Sequence, residues 1–129
     1  RNKDKKHEEL IEHTGKHDDV MGLFVAHYLF PDLLNQVRSY VEESLRSGAP
    51  TITMAFWCTH GKHRSVCGAE LFGQVLRKVL VNADVTIQHL TQEQWPSKHW
   101  RNCYECWNPK LTYVPGVVQL WRDKSRNWL

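Results

Sequence analysis

An apolar run that breaks into a cationic turn and resumes at once as a helical pattern constrains this chain most. The segment reads Ala55-Phe56-Trp57-Cys58-Thr59-His60-Gly61-Lys62-His63-Arg64-Ser65-Val66. A β-prone run over 51–57 predicts a strand buried on both faces. The turn holds Thr, Lys, two His and Arg, and no acid. A strand feeding a helix through such a turn aims backbone N–H groups and the positive end of a helix dipole at one point. That point suits an anion, and Arg64 can add a bidentate contact to a phosphoryl group. Cations at a helix N-terminus oppose the dipole, so Lys62, His63 and Arg64 in this place call for a bound anion.

The rest of the pattern is built around this unit. Asp18 or Asp19 can cap a short helix carrying Val20, Leu23, Phe24 and His27, with His27 expected on a core face. Pro31 opens a second helix. Leu33, Leu34, Val37, Tyr40, Val41 and Leu45 fall on one of its faces, and Gly48 ends it. After the turn, Val66, Ala69, Phe72, Leu76 and Val79 make a helical stripe, and 84–88 reads as a second strand. The order predicts an α/β fold: a small, mainly parallel sheet flanked by helices, with an aromatic- and Cys-containing C-terminal extension. Residues 1–90 would form the phosphate-binding domain and residues 91–129 an aromatic, basic extension packed on it.

Two resemblances meet at the turn. Cys58-x-x-Gly61-x-x-Arg64-Ser65 matches the CxxGxxR(S/T) loop of cysteine-dependent phosphatases. The longer string from Cys58 to Val66, followed by Ala69-Glu70, resembles the C-terminal domain of the RapZ family of RNase adapter proteins. That family has C-T-G-G-x-H-R-S-V followed by A-E, and His60 stands here where it has its first glycine. His13-Thr14-Gly15 with Asp18 and Val20 is similar to its L-T-G-x-D-x-x-V, and Asn35-Gln36-Val37-Arg38-Ser39-Tyr40 to its second-helix segment. The resemblance covers roughly residues 1–90. It implies that Thr59, His60, Gly61, Lys62, His63, Arg64 and Ser65 hold the phosphate of glucosamine-6-phosphate or a similar metabolite. Thr14 and His13 would complete the pocket. It places a strand just before residue 1, so the chain is expected to begin mid-domain. The family's N-terminal kinase-like domain has no counterpart in the sequence, and nucleotide hydrolysis is not expected.

The phosphatase reading makes Cys58 the nucleophile, Arg64 the phosphate clamp and Asp32 the general acid. Asp32 follows Phe30-Pro31, a loose match to a W-P-D loop, while Pro31 and Asp32 also suit a helix start. Those phosphatases carry His before the cysteine, where this chain has Trp57. Cys67, on the helix, reads as a buried small hydrophobe.

The C-terminal stretch carries separate chemistry. His99-x-x-x-Cys103-x-x-Cys106 has spacing compatible with zinc, with His89, Cys67 or a carboxylate as fourth ligand. The alternative is a pair of thiols in an aromatic patch with Trp95, Trp100, Tyr104 and Trp107. His7, His13 and His17 read as surface residues. A short amphipathic helix follows Val114-Pro115-Gly116. RNA is one candidate partner, through Lys98, Arg101, Arg122, Lys124 and Arg126, and a protein is another.

Length and composition set the outer bounds. The 129 residues suffice for one domain with a real core. A net charge of +3 does not by itself indicate nucleic acid. No apolar run reaches the roughly 20 residues of a membrane span, and no secretory leader pattern opens the sequence. Cys-x-x-Cys spacing argues for reduced thiols or a metal, and so for an intracellular setting, cytoplasmic or organellar. Three functions remain open at this stage: a phosphosugar-sensing module, a cysteine phosphatase, and a structural or RNA-contacting subunit.

Overall fold

The computed structural model of the chain describes residues 10, 12–58, 62–96 and 99–123. Its longer elements are α1 (Asp18–Ala26), α2 (Phe30–Arg46), α3 (Arg64–Val79) and α5 (Val114–Arg122), with a single-turn α4 (Tyr104–Trp107). Two 3-10 turns, Gln92–Gln94 and His99–Asn102, lie between α3 and α4. No helix among the described residues is long and apolar enough to cross a membrane.

Local chemistry accounts for the helix ends. His17 caps α1, its Nδ1 accepting from the Asp19 amide at 3.2 Å, and Asp18 and Asp19 complement the dipole in the first turn. Pro31 sits in the first turn of α2, where its missing N–H costs nothing. Gly48, at φ 75°, turns the chain out of that helix. Along α2 the buried residues Phe30, Leu34, Val37 and Val41 follow helical spacing and face α3 and α5. His27 is not on a core face as expected; it follows the end of α1 and is exposed.

Helix α3 is the hub. Cys67, Leu71, Phe72 and Val75 are fully buried in it, and both α1 and α5 pack against it. Phe72 stacks between Phe30, at 6.1 Å, and Phe56, at 5.8 Å, so one ring joins α2, α3 and the segment before the turn. Helix α5 buries Val114, Val117, Val118 and Trp121 in the same core. Arg38, itself buried, fastens its far end. The guanidinium donates to the carbonyls of Leu120 (3.4 Å) and Trp121 (3.2 Å) and to Asn35 Oδ1 (3.1 Å). A cation there also complements the negative end of the helix dipole.

The expected parallel sheet is not formed. Residues 51–58 and 84–89 are extended, but among the described residues there is no strand and no backbone hydrogen bond between them. Neither segment is buried on both faces. Each alternates exposed and half-buried positions and lays one face on α3. Phe56 fills the space beside Gly68 and Ile87 the space beside Gly73. A cavity of about 660 Å³ opens between the segments, lined by Ile52, Met54 and Phe56 on one side and by Val85 and Ile87 on the other. Helix side chains serve two of the extended carbonyls: Tyr40 Oη donates to Thr53 O (3.2 Å) and Arg77 to Val85 O (2.9 Å). The fold is therefore a helical bundle with two extended straps over α3, and the α/β assignment is corrected accordingly.

Replacing Arg38 with Met should lower stability by about 1–3 kcal/mol, because Asn35 and two helix carbonyls lose their donor in a buried place. A urea midpoint equal to wild type would remove Arg38 from the account of how α5 is held.

Candidate functional site

The site is built where the Thr14-Gly15 turn meets the N-terminus of α3. The Gly15 amide donates to Lys62 O at 2.8 Å. His63 Nε2 bonds to His13 O at 2.7 Å, so that nitrogen carries the ring proton. A Cβ on Gly15 would lie 2.3 Å from His63 O and 2.5 Å from the Cys67 amide, and both are backbone atoms. Only glycine admits this approach. Thr14 is fully buried. Its Oγ1 accepts from the Lys16 amide (3.2 Å) and its own amide donates to Cys106 Sγ (3.3 Å).

The turn residues then separate into an inner and an outer set. Lys62 is only 2% exposed, and its ammonium donates to Pro96 O at 3.1 Å. Burial holds its pKa below the ordinary lysine value. It anchors the loop to the segment at 95–96. Arg64, in contrast, is exposed at the first position of α3. No acid lies in that helix's first turn, and no side chain makes a capping hydrogen bond from His63. His63 and Arg64 close one end of a mostly apolar cavity of about 590 Å³ between α1 and α2, with Phe24, Phe30 and Leu33 among its other walls. Thr59, His60 and Gly61 lie outside the described residues.

Cys58 and Ser65 face each other across the loop. The thiol donates to Ser65 Oγ at 3.2 Å, and the Ser65 amide reaches Cys58 Sγ at 3.4 Å. Asp32 is exposed in the first turn of α2 and is not among the residues lining the cavity at Arg64. Cys67 is fully buried. Its thiol donates to Gly15 O at 3.5 Å, and burial pushes its pKa far up.

Around the Thr14 turn, side chains distant in sequence gather. His13 and His17 stack at 4.0 Å, and the His99 ring meets His13 edge-on at 5.4 Å. Cys106 Sγ lies 3.5 Å from His13 Nδ1, beside the Cys103 thiol. Burial, then the neighbouring His17 and His99, keeps His13 below the ordinary imidazole range. None of the four cysteines forms a disulfide. Of the zinc spacing, Cys103 and Cys106 lie beside His13, while His99 is exposed and meets the His13 ring edge-on; His17, read with His13 as a surface residue, stacks on His13. His89 and Cys67 do not join them: His89 Nε2 bonds to the buried Glu70 carboxylate at 2.6 Å, and Cys67 lies under Gly15. A Cys-x-x-Cys pair without a fourth ligand, in a chain with histidines on either side of a Thr-Gly turn, is the signal in the sequence.

The basic residues weighed for RNA are mostly engaged or outside the described residues. Arg101 lies over the Trp100 ring at 5.2 Å and donates to Glu93 O, and Arg122 donates to Lys78 O. Lys98, Lys124 and Arg126, like His7, lie outside the described residues.

Known proteins share part of this arrangement. A curated relative from Pseudomonas putida, named nucleotide-binding protein, is 36% identical over 81 residues, covering 60% of this chain and 28% of its own length. One of the same name from Pseudomonas syringae pv. tomato is 31% identical over 87 residues, covering 64% and 30%. One from Histophilus somni is 32% identical over 99 residues, covering 74% and 32%. The chain thus spans less than a third of the length of these relatives. No solved structure matches it. Residues 4–93 match the family model described as RapZ C-terminal domain. That match takes in the Thr14-Gly15 turn, the loop it supports and most of the hub helix packing, and the chain belongs to the RapZ C-terminal domain family.

Proposed function

We propose that this chain is a binding module for a phosphorylated small molecule, held by residues 59–65 at the N-terminus of α3. One observation carries the reading: Arg64 stands exposed at a helix N-terminus that has no acidic residue in its first turn. A cation in that position opposes the dipole, and a phosphoryl group bound between them satisfies both. Ser65 at the second helical position supplies a further polar group, and the buried Thr14 turn supports the site from below. The family resemblance favours an amino-sugar phosphate. The relatives' name, nucleotide-binding protein, points to phosphate-bearing ligands more broadly. In an adapter family, occupancy would tune an interaction with a protein or an RNA.

A cysteine phosphatase is the second reading, favoured by the Ser65 amide and hydroxyl at the Cys58 sulfur. Asp32, the acid that reading needs, does not line the cavity at Arg64.

A thermal titration at fixed ionic strength separates these. Phosphate and glucosamine-6-phosphate should raise the melting temperature of the wild type, and free glucosamine should not. A ligand at a hundredfold excess over its Kd adds about 2.7 kcal/mol. The effect should vanish in Arg64→Ala, whose exposed side chain leaves the core intact. A protein indifferent to all these anions would end the sensor reading. In parallel, the wild type should release no nitrophenol from an aryl phosphate; release that disappears in Cys58→Ser would install the phosphatase instead.

Loop support is tested at its base. Gly15→Ala should cost about 1–3 kcal/mol or more, because the new methyl group meets backbone rather than a side chain that can swing away. It should also weaken the phosphate response. An unfolding midpoint within error of wild type would show that the turn can retreat without loss.

A further inference from the structure

We propose that His13, His17, Cys103 and Cys106 form a zinc site that staples the C-terminal segment to the turn ahead of α1. One ligand atom from each of His13, His17 and Cys103 can be chosen so that all lie within 4.8 Å of one another. Cys106 Sγ is 3.5 Å from His13 Nδ1. In a tetrahedral zinc site with Zn–S near 2.3 Å and Zn–N near 2.0 Å, ligand atoms sit about 3.3–3.8 Å apart. His13, His17 and Cys103 therefore need to close by about 1 Å, and Cys106 already lies at ligand spacing from His13.

The donor set selects the metal. Two thiolates and two imidazoles suit zinc, and the Cys-x-x-Cys pair presents its sulfurs from one short turn. The surroundings fit the same role. The Thr14 amide already donates to Cys106 Sγ, as backbone amides do to metal-bound sulfur. Glu105 Oε2 lies 3.4 Å from His17 Nε2, and a carboxylate beside a ligating imidazole orients it. Both His17 nitrogens have partners, the other being the Asp19 amide, so His17 gives up one of them on binding. His99 flanks the site, exposed and edge-on to His13.

The site answers a physical need of the segment it holds. Trp95, Trp100 and Cys106 of this segment form one small core with Val66 of α3, with Cys103 packed on it. The segment's elements are single turns, too short to be stable alone. A metal joining this segment to residues 13 and 17 turns binding free energy into folding free energy. This inference is independent of what the loop at Arg64 binds.

The test is metal content and cobalt spectroscopy on the intact chain. Protein purified without chelator should carry one zinc per chain. A zinc chelator should lower its melting temperature. Cobalt added to metal-free protein should give the intense thiolate-to-cobalt absorption of a tetrahedral site. Cys106→Ser and His13→Ala should lose that spectrum, His17→Ala should bind cobalt at least tenfold more weakly, and His99→Ala should keep it. A folded wild type that takes up neither zinc nor cobalt overturns the proposal, and this titration does not depend on any variant folding. A wild-type cobalt spectrum and affinity in His13→Ala overturns it as well.

Discussion

The backbone of Gly15 against the N-terminus of α3 is the contact from which the rest of the molecule is organised. Its amide fixes Lys62 O, and the neighbouring His13 carbonyl fixes the His63 ring, so two bonds clamp one turn to the other. Because no side chain fits between them, the turn comes close enough for Thr14 to reach Cys106. Three segments far apart in sequence thereby share one junction: the turn before α1, the loop before α3 and the cysteine-bearing segment.

The helices were legible because their determinants are local. Pro31, Gly48 and the apolar spacing of α2 and α3 each act within a turn or two of their own position, while the cap of α1 falls on His17 rather than on Asp18 or Asp19, which lie in its first turn. The extended segments were only half legible. The β-prone run over 51–57 predicts burial on both faces, but only one face is covered, and the local pattern does not say by what. Here the cover is α3, whose Gly68 and Gly73 leave room for Phe56 and Ile87. A β-prone run was read as a strand in a parallel sheet, yet a sheet needs a backbone partner at the right distance, and that is a nonlocal fact. Trp57, 87% exposed at the end of this run, shows how one-sided the coverage is.

At the site, charge misled where burial decided. Lys62 sits in a run of cations that reads as a set of ligand donors, and its ammonium instead meets the Pro96 carbonyl inside the protein. A lysine can be buried in this way when its head group finds an acceptor, and nothing in its local sequence announces that acceptor. His13 and His17 illustrate the reverse. They looked like surface residues of a charged segment and became neighbours of cysteines some 90 positions later, as the 93-residue separation of His13 and Cys106 shows. The family resemblance ended near residue 90, so it offered no guide to this contact. The C-terminal segment is nonetheless part of the main structure: Arg38, within the matched region, binds the last turn of α5.

Electrostatics ties the two proposed sites together. The front of the junction holds His63, Arg64 and the positive pole of α3, with the Lys62 ammonium buried just behind. That concentration of positive charge favours an anion in front, and any further positive charge behind it would raise the cost of the lysine, whose charged form burial already disfavours. A zinc ion held by two thiolates and two neutral imidazoles carries no net charge. It can therefore brace the turn without adding positive charge beside the buried Lys62. A calcium-type site built from carboxylates would bring net negative charge and compete with the phosphoryl group for the same field. The residues gathered behind Thr14 are of the first kind, so rigidity is gained at the back of the loop while the positive field stays available at its front.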